Sequence, residues 1–392
     1  MTMAQSQSVA GNLYEELGVR IGINARGNQT LLGGSVLAPE VLAAMEQANH
    51  AYVEMEELLA KSGEFIAQVL GTEAAYVTSG CAAALALSAA ACIAGTDPEK
   101  IGRLPDTTGM KDEIVFQKAQ QYKYARCLTI PGGKLVAVGD ETGCTVEQME
   151  KGIGPQTAAI AYYQKPDWGS NILSLEQVRE IAHRKGLPLI VDAASQIYPL
   201  DYFRAMAQSG DLVCFGAKYF GAPHSTGIVT GKRELVQAAV AQGFIGFELA
   251  NQQGLPTPFG RPLKVDRQEV IGVVAALRLW FSIDHEERLR VLRDKMQVIA
   301  QAVQDLPGVK VSLPTAPPVG PSYGLRITVD QSVVGKDAAT ILETLAAGNP
   351  PIWVRMYEED GPDTFAVNVQ TLNEGEEQVI AERLKSILAA GA

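Results

Sequence analysis

Five short runs between residues 113 and 216 are apolar without the alternation expected of a half-exposed strand. They are Glu113-Ile114-Val115-Phe116, Lys134-Leu135-Val136-Ala137-Val138, Ala158-Ala159-Ile160-Ala161-Tyr162, Leu189-Ile190-Val191 and Leu212-Val213-Cys214-Phe215. A strand that is apolar on both faces must be covered on both, and helices returning between parallel strands provide that cover. Residues 175–185, between the third and fourth runs, carry such a helix: amphipathic, opened by Ser174 as a cap and closed by Gly186. The pattern therefore predicts an α/β fold built on a mostly parallel, two-sided sheet.

The rest of the chain is arranged around that core. Gly27, Gly33, Gly34 and Pro39 mark the first forty or so residues as an arm or loop. Helical spacing over 39–69 predicts two helices separated near Lys61-Ser62-Gly63. Ala74-Ala75-Tyr76-Val77 reads as a strand that turns through Thr78-Ser79-Gly80 into an alanine-rich helix, apolar all round and therefore buried. A long helix over 268–292 leads into a smaller α/β unit with strands at 309–313, 324–329, 352–356 and 365–369 and a last helix at 374–388. The expected domains are an N-terminal arm (1–45), a large domain (46–267) and a C-terminal small domain (268–392).

Composition removes several classes of function. With 47% apolar and 20% charged residues, the 392-residue chain can bury a large core. A net charge of −11 without any Lys/Arg-dense block argues against general nucleic-acid binding. The five cysteines and four histidines are scattered with no metal-ligand spacing, which suits reduced thiols and a cytoplasmic setting. Residues 1–11 lack the basic and apolar regions of a signal peptide. The apolar stretch from Cys81 to Ala94 is too short to span a membrane. A soluble cytoplasmic protein is expected, with neither nucleic acid nor membrane as partner.

Three features then fall in a meaningful order. Thr78-Ser79-Gly80-Cys81-Ala82 joins a strand to a helix start, where free N–H groups and the positive helix end suit a phosphate; taken alone, Ser79 reads more readily as an ordinary N-cap. Asp192 closes the Leu189-Ile190-Val191 strand, on the edge where α/β sheets bind ligands, and a carboxylate there can keep a pyridine nitrogen protonated; a loop-capping Asp is the plain alternative. Lys218 follows the next strand among small residues, Gly216-Ala217-Lys218, where a desolvated amine can form an imine with an aldehyde cofactor; taken singly, it reads as a solvated turn lysine. Phosphate loop, acid and amine in succession, the last two 26 residues apart, is the order that a pyridoxal-phosphate (PLP) site requires.

With these segments the chain resembles the branch of fold-type I PLP enzymes (the aspartate-aminotransferase superfamily) that holds selenocysteine synthase and the D-glucosaminate-6-phosphate ammonia-lyases. The resemblance also rests on Ile23-Asn24-Ala25-Arg26-Gly27, Leu32-Gly33-Gly34-Ser35, Arg103-Leu104-Pro105-Asp106-Thr107-Thr108-Gly109-Met110 and Gly260-Arg261-Pro262-Leu263-Lys264-Val265. It implies a seven-stranded large domain with a smaller α/β domain, PLP as cofactor, and Lys218 as the Schiff-base lysine with Asp192 on the pyridinium nitrogen. It further implies that Ser79, Gly80 and Cys81 bind the phosphate, that Gln120 and Ser195 contact the cofactor, and that Ser225 and Thr226 reach a neighbouring subunit's phosphate in a homodimer or larger assembly. The chain departs from the pattern at Gln120, where the family usually stacks a histidine on the ring, at Phe215 in place of a common serine, at His224 where glutamine is common, and at Gln370-Thr371 in place of Arg-Thr.

Arg26, Arg261, Lys264 and Arg355 are the candidates for binding an acidic substrate group, although ion pairing or solvation explains each one singly. Tyr52, Tyr122 and Tyr124 read as site-lining or packing residues, and His224 as a candidate acid or base. The expected activity is cleavage at the α-carbon of an amino acid or amino-sugar acid, with β-elimination and ammonia release favoured by the resemblance. Racemase, aldolase or aminotransferase chemistry, or a non-catalytic binding role, are the alternatives.

Overall fold

The computed structural model describes residues 12–165, 168–315 and 323–389; the expected N-terminal features at 1–11 lie outside these. Twelve strands occur among the described residues: β1 (Ile23–Asn24), β2 (Ala74–Thr78), β3 (Glu113–Gln117), β4 (Lys134–Val138), β5 (Thr157–Tyr163), β6 (Leu189–Asp192), β7 (Leu212–Gly216), β8 (Gly227–Gly231), β9 (Val309–Ser312), β10 (Gly324–Val329), β11 (Ile352–Trp353) and β12 (Thr364–Asn368). The chain divides into two compact units, one spanning Gly33–Ile283 and one comprising the remaining described residues.

The first unit holds a seven-stranded sheet in the order β2-β8-β7-β6-β5-β3-β4. β3 through β7 pair in parallel, while β8 runs antiparallel to both β7 and β2. All five apolar runs are strands of this sheet, and the mostly parallel α/β architecture holds. β6, β7 and β8 are buried at every position, which explains why their sequences show no alternation. The Cys81–Ala94 helix packs against β5, β6, β7 and β8. Its run of alanines keeps it close to the strands, and nearly all of its residues are buried.

Two helix boundaries differ from the sequence reading. The first break falls after Pro39–Asn49, and the next helix, Met55–Leu70, runs straight through Lys61-Ser62-Gly63. Gly63 is there for close packing: a Cβ would lie 2.2 Å from the Ala75 carbonyl oxygen. The long helix expected over 268–292 is instead two, Arg267–Trp280 and His285–Val303. Asp284 accepts from the Glu286 and Glu287 amides and so starts a new helix. Apolar Phe281 and Ile283 keep the helical spacing across the break and hide it.

The second unit contains an antiparallel sheet, β12-β10-β9, and the parallel pair β1–β11. Its closing helix is Glu376–Ala389.

At the amino edge of the large sheet, buried Asp211 ties three strands together. It accepts from the Leu189 amide (2.8 Å) and Lys232 Nζ (2.8 Å) and lies 3.2 Å from His183 Nε2. Burial alone would raise its pKa, but Lys232, the Leu189 amide and His183 outweigh burial and hold it below the ordinary carboxylate range. A depressed folded pKa adds stability that is complete above the unfolded value of about 3.9 and is lost as the pH falls through the folded one. Asp211→Ala is expected to cost about 2–3 kcal/mol in urea denaturation at pH 7, and the gap from the unsubstituted protein should narrow below about pH 4. A pH-independent gap would show that packing, not charge, is what Asp211 supplies.

Candidate active site

Parallel strands bring their carboxyl ends to one edge, and β3, β5, β6 and β7 end there in Gln117, Tyr163, Asp192 and Gly216. Because β8 runs the other way, it contributes its first residue, Gly227, to the same edge. Gly227 is paired with Gly216 on one side and with Thr78 on the other. Asp192 is paired with Cys214 on β7, two residues before Gly216. Register alone therefore brings together three segments that are far apart in sequence.

The Thr78-Ser79-Gly80 turn is held by a Gly80 N–H to Thr78 carbonyl bond (2.9 Å) and a Thr78 Oγ1–H to Gly80 carbonyl bond (3.0 Å). Gly80 has φ +90°, a conformation that favours glycine. The helix that follows has no side-chain cap, so its first amides, beginning at Cys81, point out of the turn toward the sheet edge. Gly227 makes this possible: a Cβ there would lie 2.4 Å from Gly80 C and 2.6 Å from Cys81 N.

Asp192 is buried, with 4% of its surface exposed. Its Oδ1 accepts from the Ala194 amide (3.0 Å) and the Cys81 thiol (3.5 Å), and its Oδ2 accepts from the Tyr122 hydroxyl. Burial pushes its pKa up, opposed by those three donors. Lys218 lies in the turn Ala217–Phe220 directly after β7, with Nζ 5.2 Å from the centroid of the Tyr219 ring. Burial holds its ammonium below the ordinary lysine range, and the neighbouring Cys81 works weakly in the other direction. Cys81 thus stands beside the acid, its sulfur 3.5 Å from Asp192 Oδ1.

The class-V aminotransferase family matches residues 40–345. The chain belongs to that family. It is 31% identical over 383 residues to D-glucosaminate-6-phosphate ammonia lyase of Salmonella typhimurium (strain 14028s / SGSC 2262), covering 96% of this chain and 98% of the relative. It is 30% identical over 383 residues to the 5'-C-glycyluridine monooxygenase-decarboxylase of a Streptomyces species, covering 96% of this chain and 92% of that one. The solved structure of D-glucosaminate-6-phosphate ammonia-lyase superposes with a TM-score of 0.82 at 29% identity, over 97% of this chain and 99% of the other. The chain is therefore a PLP-dependent enzyme of fold type I.

The residues at the sheet edge fit that cofactor. An uncapped helix start with a glycine-only turn suits a phosphate, a buried carboxylate suits a ring N–H, and an amine with a lowered pKa suits an aldehyde. Ser195 is half-buried three residues past Asp192, and its hydroxyl accepts weakly from Gln196 (3.4 Å). Thr226 is buried, donating to the Pro223 carbonyl (2.7 Å), whereas exposed Ser225 donates to Glu269. His224 is half-buried against Gly34, where a Cβ would meet its Nδ1 at 1.8 Å, and that nitrogen is buried without a hydrogen-bond partner.

Gln120 is buried and donates to the Tyr163 carbonyl (3.1 Å). Tyr122, two residues on, is the side chain that reaches Asp192, and its ring stacks on Tyr163 at 4.1 Å between centroids. Spacing drew attention to Tyr122 only as one tyrosine among several, and no sequence pattern links it to an acid 70 residues away. Of the acid-binding candidates, Arg261 is paired with Glu248 (2.8 Å) and Lys264 is exposed. Arg26 and Arg355 lie in the second unit, two residues beyond the β1–β11 pairing of Asn24 with Trp353. Arg355 forms a bridge with Ala366 on β12, and the Arg26 amide donates to the Asn24 side chain (3.0 Å).

Gly227→Ala is expected to destabilise the enzyme by about 1–3 kcal/mol in thermal or urea unfolding and to weaken PLP binding, read by absorbance titration. Unchanged binding would detach the β8 glycine from the phosphate turn.

Proposed function

We propose that this enzyme is an ammonia-lyase acting by β-elimination on an amino acid or amino-sugar acid. The observation that carries the reading is the placement of a buried acid, a desolvated amine and an uncapped helix start along one sheet edge. The activity of the 31%-identical relative supports the choice of reaction.

In this reading Lys218 holds the cofactor through Nζ, Asp192 accepts from its ring nitrogen, and the amides around Ser79, Gly80 and Cys81 take its phosphate, with Gln120, Ser195, Ser225 and Thr226 completing the surroundings. Bound PLP supplies an electron sink for charge developing at the substrate α-carbon. The Lys218 amine would take the substrate α-proton on Nζ, an ability that its lowered pKa favours. The β-substituent leaves with its bonding electron pair, and hydrolysis of the resulting enamine gives a keto acid and ammonia. His224, whose pKa burial and the nearby Lys218 charge both lower, is a second site for proton exchange.

Arg26 and Arg355 are proposed to bind the acid groups of the substrate, since neither is paired with a carboxylate among the described residues, with Arg261 and Lys264 as further candidates. The enzyme is proposed to work as a homo-oligomer in the cytoplasm. Exposed Leu13, Tyr14, Leu17, Val19 and Ile21 support association, and five unpaired cysteines support a reducing compartment. No helix among the described residues is long and apolar enough to cross a membrane.

Purified protein loaded with PLP is expected to absorb in the visible, and Lys218→Ala to abolish that band and lower turnover by about 10²–10⁴-fold. Incubation with D- and L-amino acids and phosphorylated amino-sugar acids should release ammonia and a keto acid. Exchange of the α-hydrogen for deuterium without net product would replace the lyase reading by a racemase one.

A further inference from the structure

Tyr122 is half-buried at the start of the Lys123–Thr129 turn, yet every part of its side chain is engaged. Its hydroxyl donates to Asp192 Oδ2, and its ring stacks on that of Tyr163, the two planes within 4° of parallel. Tyr163 is fixed in turn, because its carbonyl accepts from both the Trp168 indole N–H (2.8 Å) and Gln120 Nε2 (3.1 Å). The Trp168 ring also meets the Tyr163 ring edge-on at 5.6 Å. A chain of contacts thus runs from β3 and β5 to the carboxylate on β6.

We propose that Tyr122 is a positioning residue that fixes the Asp192 carboxylate, in charge and in direction, for the ring nitrogen of the cofactor. This rests on the assignment of Asp192 to that nitrogen made above. A buried carboxylate keeps its charge only if donors replace water. Ala194 and Cys81 supply Oδ1, but a thiol is a weak donor, and Tyr122 is the side chain that serves Oδ2. Each carboxylate oxygen accepts more than one hydrogen, so Oδ2 keeps a lone pair for a ring N–H while bound to the phenol. Burial and the adjacent carboxylate push the Tyr122 hydroxyl far above its ordinary pKa, so it stays a donor wherever the enzyme is folded. Gln120 acquires a function in this arrangement: it anchors the stacking partner.

The test is a double-substitution cycle of Tyr122→Phe and Asp192→Asn. The readouts are the PLP dissociation constant, taken by absorbance titration of PLP-stripped protein, and the absorption maximum of the bound cofactor. Tyr122→Phe keeps the stack and removes one oxygen, so the fold persists. It is expected to weaken PLP binding about tenfold, the scale of a hydrogen bond to a charged group, and to move the absorption maximum. In the Asp192→Asn background the same change should alter binding by less than about twofold, because the hydroxyl acts through the carboxylate. Binding in Tyr122→Phe that is unchanged or tighter, while Asp192→Asn is impaired, overturns this proposal and leaves the Asp192 assignment standing. If Asp192→Asn itself changes neither readout, both fall.

Discussion

The antiparallel return of β8 between β2 and β7 is what the site is built around. A wholly parallel sheet would place only strand ends at its carboxyl edge, whereas β8 brings a strand beginning there, and with it the turn that carries Lys218. Gly227 sits at that beginning with the Gly80–Cys81 peptide against its Cα. The helix that follows Gly80 can therefore start level with the sheet edge, and its first amides open onto the same space as Asp192 and Lys218.

Burial then does the chemical tuning. It lowers the pKa of the Lys218 amine, raises that of the Asp192 carboxyl, and lowers that of the His224 imidazole. The carboxylate is balanced by three donors from three different segments. The opposite edge of the sheet handles its own buried acid differently. Asp211 has Lys232 and His183 beside it, both half open to solvent, and drops below the ordinary range, as expected of a strut.

The sheet was legible in the sequence because two-sided burial leaves an unbroken apolar run, as in Leu189-Ile190-Val191. The order of turn, acid and amine was legible because each motif needs small residues beside it. Helix boundaries were less so: Gly63 resembles a breaker and is a packing glycine, while Phe281 and Ile283 carry the apolar spacing across a real break. Tyr122 was hidden for a different reason. Its partner is set by the pairing of β5 with β6 and by a turn after β3, and nothing local to residues 120–124 records either.

The alanine-lined helix beneath the sheet has a further consequence. Its fourteen residues form a rod roughly 20 Å long, seated on the strands largely by small alanine side chains. Enlarging any one of them would lift the rod as a body, and the amide-bearing tip would travel with it. Depth of the space at the sheet edge is thus gauged by side-chain volume in the middle of the molecule, where a substitution far from that edge still resets the reach of the amides facing it.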